Sequence, residues 1–332
     1  MVITGYYINK PKDQLIKKQK EIPYLKEDEV LIKIEYCAFC RTDLHVIDGE
    51  IDAKYPVIPG HQIVGYIIKK GPKVNNFNIN DKVGVYWPYS TCSECKFCKK
   101  GLENLCDNAL FTGFNVDGGY SDYIIAKKDY IINLNDLKNY SDYELAPMLC
   151  GGVIGYRAFS FIQDKDIIGI YGLGSSGHII SQIAINLNKK LIAFIKRDDK
   201  KSKELAINLG INEIYYSDEI IKTKLEAAII FAPVGDLVKY ALMNLEKGGN
   251  IICAGIHMSD IPSFEYKYLW GERSIKSVAN VTRNDAINFF KIISKIPKIN
   301  IHYQIFNLNE VNKVINNIRE SKLKPSVVFK ID

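Results

Sequence analysis

Two textures of apolar and polar positions divide the chain. Up to about residue 150, apolar residues come in short runs and alternations broken by Gly and Pro. VLIKIEYC (30–37), QIVGYIIKKG (62–71), DKVGVYW (81–87) and GGYSDYIIA (118–126) are rich in β-branched and aromatic residues and predict strands. Beyond 150, continuous apolar runs alternate with segments of helical spacing. IIGIYG (167–172), LIAFI (191–195), AAIIFA (227–232) and NIICAG (250–255) predict buried strands. HIISQIAINL (178–187), KSKELAINLG (201–210) and DLVKYALMNL (236–245) predict helices between them. That alternation implies a parallel sheet with crossover helices. After about 285 the order is helix NDAINFFKIISK (284–295), strand HYQIFN (302–307), helix LNEVNKVINNIRES (308–321) and strand PSVVFKI (325–331). There is no internal repeat and no low-complexity linker.

A length of 332 residues suits two domains, and 47% hydrophobic with 25% charged residues supplies an ordinary core. The net charge of +6 comes from 44 basic and 38 acidic residues spread along the chain. Even KRDDKK (196–201) alternates sign, which reads as solvated surface and argues against a nucleic-acid partner. No apolar run is long enough for a membrane span, and MVITGYYINKPKDQ does not read as a signal peptide, so a cytoplasmic protein is expected. Eight cysteines, several of them clustered, then suggest metal rather than disulfides.

Gly172, Gly174 and Gly177 form GLGSSG, directly after one predicted strand and opening a predicted helix. In that context the motif reads as a dinucleotide site: a tight turn, a close backbone approach to pyrophosphate, then close packing of helix on strand. Ser175 and Ser176 sit at the helix N-terminus, where N–H groups and the dipole favour anions. An NAD-preferring site calls for an acid at the end of the next strand. Here that strand ends at Ile195 and is followed by Lys196 and Arg197, which attract a 2′-phosphate. NADP(H) is therefore favoured and NAD(H) possible, with Asp198 the residue a register shift would bring to the ribose.

Cys92, Cys95, Cys98 and Cys106 lie within fifteen residues in TCSECKFCKKGLENLC, a polar lobe too short for a core of its own. Four thiolates at this spacing suit a closed, structural zinc site, with an iron–sulfur site or unrelated surface thiols as the alternatives. Reading the lobe as a nucleic-acid-binding module would need more than Lys96, Phe97, Lys99 and Lys100 around it. Cys40, His61 and Cys150 are dispersed, and spacing alone does not join them.

Taken together, CRTDLH (40–45), PGHQ (59–62), the cysteine lobe, PMLCGG (147–152) and GLGSSG resemble the zinc-dependent medium-chain alcohol dehydrogenases. FAPVGD (231–236) and WGERSIKSVANVTR (270–283) resemble a bacterial and archaeal branch of that family. The resemblance implies an α/β plus β-rich fold: a GroES-like catalytic domain with an inserted Rossmann domain. It places the GroES-like part at 1–150, with the zinc lobe at 92–106, the Rossmann part at 151–285, and a segment completing the catalytic domain at 286–332. It implies two zinc ions per subunit, a catalytic one on Cys40, His61 and Cys150 and a structural one on the lobe. In CRTDLH, Arg41 would reach the pyrophosphate and Thr42 the substrate oxygen. Asp43 would fix His61, and His45 would end a proton relay running from Thr42 through the cofactor ribose. Trp87 would border the substrate, an ordinary core Trp being the alternative. Gln62 departs from the Gly-His-Glu usual in the family and removes a charge behind the zinc. Cys37 and Cys253 fall in predicted strands and read as buried apolar thiols. The expected activity is hydride transfer between a primary or secondary alcohol and a nicotinamide cofactor, in a homodimer or homotetramer. The rivals are a polyol or amino-alcohol dehydrogenase of the same fold and a non-catalytic NADPH-binding relative.

Overall fold

The computed structural model describes residues 1–320, 322–323 and 327–331. Ser321, Pro325 and Ser326, at the ends of the predicted helix 308–321 and strand 325–331, lie outside the described residues. The chain forms two compact units: Met1–Cys150 with Asn280–Ser294 and Ile301–Asp332, and Gly151–Ala279 with Lys295–Asn300.

The first unit is built on a sheet in the order Gln304–Asn307, Val327–Lys330, Glu29–Ala38, Gln62–Lys70, Lys82–Val85, Ile131–Asn133. Tyr123–Lys127 pairs with Glu29–Ala38 off this path. In Glu29–Ala38, Val30, Ile32 and Ile34 enter a core shared with Ile63, Ile67, Val83, Val85, Tyr120 and Phe329, and Leu31 between them is buried as well, so the strand is covered on both faces there. The strand expected at 118–126 begins only at Tyr123, because Gly118 and Gly119 fill a tight crossing instead. A Cβ on Gly118 would stand 2.1 Å from Gly60 O, and one on Gly119 would stand 2.4 Å from the Ile63 side chain. A hairpin of Val2–Tyr7 with Ile16–Glu21 was not expected. Its second strand, IKKQKE, is exposed throughout and carries no alternation to read.

The second unit holds six parallel strands in the order Glu213–Tyr216, Lys190–Ile195, Ile167–Tyr171, Leu225–Ile230, Leu245–Cys253, Ser274–Ser277. Numbered along the chain from Ile167–Tyr171, this is 3-2-1-4-5-6, the Rossmann arrangement, whose ligand crevice lies at the carboxyl end of the first strand. Tyr171 and Phe194 stack at 4.2 Å across the first two strands, inside a core with Ile192, Ile230, Leu242 and Ile251.

The boundary expected at 285/286 needs correction. The helix Arg283–Ile293 belongs wholly to the first unit and starts at Thr282, whose hydroxyl accepts Asp285 N–H at 3.1 Å. Residues 295–300 then return to the second unit, where Gln182 binds both N–H and C=O of Asn300, at 2.7 and 2.9 Å. Among the described residues, no helix is long and apolar enough to cross a membrane.

Candidate active site

CRTDLH folds as the start of the helix Arg41–Asp48, with Cys40 at its N-cap in extended geometry. Asp43, the third helical residue, turns back and accepts Cys40 N–H on Oδ2 at 2.7 Å, one half of a capping box. The same oxygen accepts the Tyr120 hydroxyl at 3.1 Å. Oδ1 lies 3.0 Å from His61 Nδ1, although the N–H does not point squarely at it, so the contact is chiefly electrostatic. Asp43, His61 and Tyr120 are all fully buried. Burial pulls the imidazole's pKa down, but the charges of Asp43 and Cys40 outweigh it and push His61 up to about 10.

Cys150 sits in a π-helical turn, Met148–Gly152, that follows the helix Asp142–Pro147. Its Sγ lies 3.7 Å from Cys40 Sγ. That hydrogen bond, helped by the His61 charge against burial, holds Cys40 well below the usual thiol range. The same bond, together with burial, pushes Cys150 up. The donor atoms of Cys40, His61 and Cys150 all lie within 4.8 Å of one another, as do those of Cys92, Cys95, Cys98 and Cys106. Zinc holds thiolate sulfur at about 2.3 Å, so a tetrahedral site sets two sulfurs about 3.8 Å apart. The first set shows 3.7 Å, and the second shows 3.9 Å for Cys92–Cys98 and 3.5 Å for Cys92–Cys106. All eight cysteines are free thiols. Both donor sets therefore fit zinc in atom type and in spacing.

The lobe is shaped for its sulfurs. Cys95 N–H points to Cys92 Sγ at 3.4 Å and Cys98 N–H to Cys95 Sγ at 3.5 Å. Buried Glu103 ties it down by accepting Arg283 N–H at 2.8 Å and Arg283 Nε at 3.3 Å.

In the second unit each glycine of GLGSSG has its own reason. Gly172 has φ +98°, which an L side chain resists. A Cβ on Gly177 would stand 2.2 Å from Gly172 O, so only glycine lets the helix Ser175–Asn186 start so close to the strand. Gly174 faces open space, with nothing within 4 Å of a Cβ built there, and Ser175 beside it is exposed. That open backbone at a helix N-terminus fits a pyrophosphate. Lys196 and Arg197 follow the neighbouring strand and are exposed. Arg197 is bound to Asp218, while Asp199 caps the next helix through Ser202 N–H at 3.0 Å. Asp198, exposed, has φ +64°.

Around the Cys40 set, Thr42 Oγ1 lies 3.6 Å from Cys40 Sγ. Buried His45 pairs through Nδ1 with the Glu50 carboxylate, and the Glu50 side chain is largely exposed. Arg41 is exposed. Trp87 packs edge-on against the His61 ring at 4.8 Å and stacks on Phe111 at 5.0 Å, with Phe114 at 5.7 Å. Gln62 is buried, and its Nε2 donates to Ala38 O at 3.2 Å, a contact a carboxylate could not make.

Residues 26–136 match the model of the alcohol dehydrogenase GroES-like domain. A probable alcohol dehydrogenase, AdhA, of Mycobacterium tuberculosis is 35% identical over 319 residues, 93% of this chain and 91% of that one. The chain belongs to the zinc-type medium-chain alcohol dehydrogenase family. An alcohol dehydrogenase of Geobacillus stearothermophilus is 32% identical over 336 residues, covering 98% of each chain. Among solved structures, a cinnamyl alcohol dehydrogenase of Sorghum bicolor superposes with TM-score 0.87 at 22% identity, over 100% of this chain and 98% of that one. A Helicobacter pylori CAD complexed with NADP(H) gives 0.84 at 24%, over 100% and 98%. At these identities the two structures show a common fold.

For this family member, sequence reasoning missed Tyr120, Glu50, Phe111 and Phe114. Tyr120 stands 77 residues from Asp43, and no local pattern announces it. Glu50 had a signal. Gly49 ends the helix in left-handed geometry, and Gly49 N–H and Glu50 N–H return to Val46 O and His45 O at 3.2 and 2.9 Å. This Schellman turn brings the residue after the glycine back over His45. Cys37 is fully buried in its strand and Cys253 ends one, also buried.

Proposed function

We propose that the protein is a zinc-dependent alcohol dehydrogenase and aldehyde reductase. It transfers a hydride between a primary or secondary alcohol and a nicotinamide cofactor, with NADP(H) favoured over NAD(H). The observation that carries this reading is the set of half-buried Cys40 and Cys150 with buried His61, donor atoms within 4.8 Å and Asp43 behind the imidazole. Three protein donors leave a zinc ion one exchangeable position, the mark of a catalytic site, while four in the cysteine lobe leave none. Zinc, when bound, supplies Lewis acidity toward an alcohol or carbonyl oxygen. A nicotinamide dinucleotide, when bound, supplies the hydride carrier.

The chain's own residues do the rest. Asp43 orients His61 and favours its role as a donor. The Thr42 hydroxyl, beside Cys40, exchanges the substrate proton, and His45, backed by Glu50, passes it to solvent. Gly172, Gly174, Ser175, Ser176 and Gly177 receive the pyrophosphate, and Lys196 and Arg197 meet the 2′-phosphate. Trp87, Phe111 and Phe114 form an apolar wall beside His61 that suits simple alcohols. Apart from the Trp87 indole N–H, such a wall offers no hydrogen-bond partner to the extra hydroxyls of a polyol.

The test is reduction of aldehydes from acetaldehyde to benzaldehyde by the purified protein, with NADPH and NADH in parallel, before and after zinc chelation. Turnover that chelation abolishes and zinc restores is expected, faster with NADPH at subsaturating cofactor. Zinc-loaded protein inactive with both cofactors would overturn the reading in favour of a non-catalytic NADPH-binding relative.

A further inference from the structure

The second strand of the parallel sheet, Lys190–Ile195, carries no acid at its end. A carboxylate reaches that corner from the neighbouring strand instead. The parallel ladder continues past Glu213–Tyr216, since Ser217 N–H donates to Ile195 O at 2.8 Å. Asp218 is thereby set beside the residues that follow Ile195. Its oxygens accept Arg197 Nε and Nη2, each at 3.1 Å, the two parallel bonds of a forked pair. The guanidinium also lies over the Tyr216 ring, 4.7 Å from its centroid. Glu219 closes the turn: its carboxylate accepts Tyr216 N–H at 2.9 Å and its own N–H donates to Tyr216 O at 3.0 Å. Carboxylate, guanidinium and ring form one built corner, anchored by backbone hydrogen bonds.

In this fold the end of the second strand is where the adenosine ribose is recognised. Lys196 and Arg197 alone would present two cations to a 2′-phosphate. Asp218 offsets one of them, occupies one edge of its fork, and sets a negative charge near an incoming dianion. We infer that Asp218 is a specificity-determining residue for the cofactor: it holds down NADP(H) affinity and so keeps NAD(H) usable by the same site. The inference rests on the proposed reading of the glycine turn as a nicotinamide-dinucleotide site. NAD(H) lacks the phosphate, so its binding does not sense Asp218 in the same way.

The experiment is a fluorescence titration of NADPH and of NADH into zinc-loaded wild-type protein and the Asp218→Asn variant, at low and moderate salt. Asp218 is exposed, so the thermal transition is expected to stay in place and serves as the folding control. A unit charge beside a surface-bound dianion is worth about a factor of five to ten at low salt. The Kd for NADPH is therefore expected to fall by about that factor in Asp218→Asn, less at moderate salt, with the Kd for NADH within about twofold. Arg197→Ala is expected to weaken NADPH selectively. Wild-type binding of both nucleotides with an NADPH-to-NADH ratio that Asp218→Asn leaves unchanged would overturn the role of Asp218 alone. Failure of wild-type protein to bind either nucleotide would overturn the dinucleotide site and this inference with it.

Discussion

Asp43 answers why one short turn holds so much chemistry. Its carboxylate caps the helix through Cys40 N–H, takes the Tyr120 hydroxyl, and faces His61. The backbone of one proposed ligand and the ring of another are thus fixed by a single buried side chain. Thr42 and Tyr120 separate chemistry from support. Thr42→Ala is expected to lower kcat about a hundredfold to a thousandfold, within the usual range for a proton-transfer group, and to leave the thermal transition unchanged. Tyr120→Phe is expected to cost about 1.5–3 kcal/mol in urea unfolding, the range for a hydrogen bond to a charged group. Steady-state kinetics beside denaturation curves checks both, and equal kinetic and stability losses in Thr42→Ala would contradict the assignment. Residues contiguous in sequence were legible here: Cys40 through His45 could be given roles in order. Tyr120, Phe111 and Phe114 could not, because their relation to the turn exists only after the sheet folds.

At the level of the element, the glycine turn makes a sharper claim than its motif. Gly174 has room for a Cβ and Gly177 has none. Gly174→Ala is expected to leave the melting temperature within about two degrees while weakening nucleotide binding about tenfold or more, since the methyl group occupies the approach to the backbone. Gly177→Ala is expected to lower the melting temperature itself. Reversal of that order would contradict the roles given to the two glycines. The helix that follows the next strand is capped by Asp199, whose carboxyl the Ser202 hydroxyl and N–H hold below the usual carboxylate range. A lowered folded pKa stabilises fully above the unfolded value of about 3.9 and is lost as pH falls through the folded value. Asp199→Ala is thus expected to cost about 1 kcal/mol at neutral pH, and clearly less near pH 2, by chemical denaturation at both pH values. Strand and helix cores of this unit were readable because continuous apolar runs and helical spacing differ plainly. The N-terminal hairpin was not, since its exposed second strand follows no period.

Across the whole molecule, the order of motifs carried the fold class, and strand–helix alternation carried the parallel sheet. The return to the first unit was misplaced because the apolar face of Arg283–Ile293 does not say which unit receives it. Spacing does not join Cys40, His61 and Cys150, since 110 residues separate the two thiols; the family resemblance grouped them, and the fold brings their donor atoms within 4.8 Å. The sheet of the second unit leaves Ser274–Ser277 as an edge, with pairing on one side among the described residues. Nearby in sequence, Tyr266 and Trp270 are 66% and 67% exposed. We propose that self-association uses this region, as a homodimer or a homotetramer built from such pairs. Light scattering is expected to give a mass above the monomer and Trp270→Asp a shift toward it; a monomeric wild type would contradict the proposal.

On this reading one chain builds two distinct metal sites, one of them on Cys40, His61 and Cys150. Zinc content per chain, measured by mass spectrometry on purified wild-type and Cys150→Ala protein, tests it most directly. About two zinc ions are expected in the wild type and about one in the variant, the cysteine lobe keeping its own. Equal zinc content in the two proteins would contradict it.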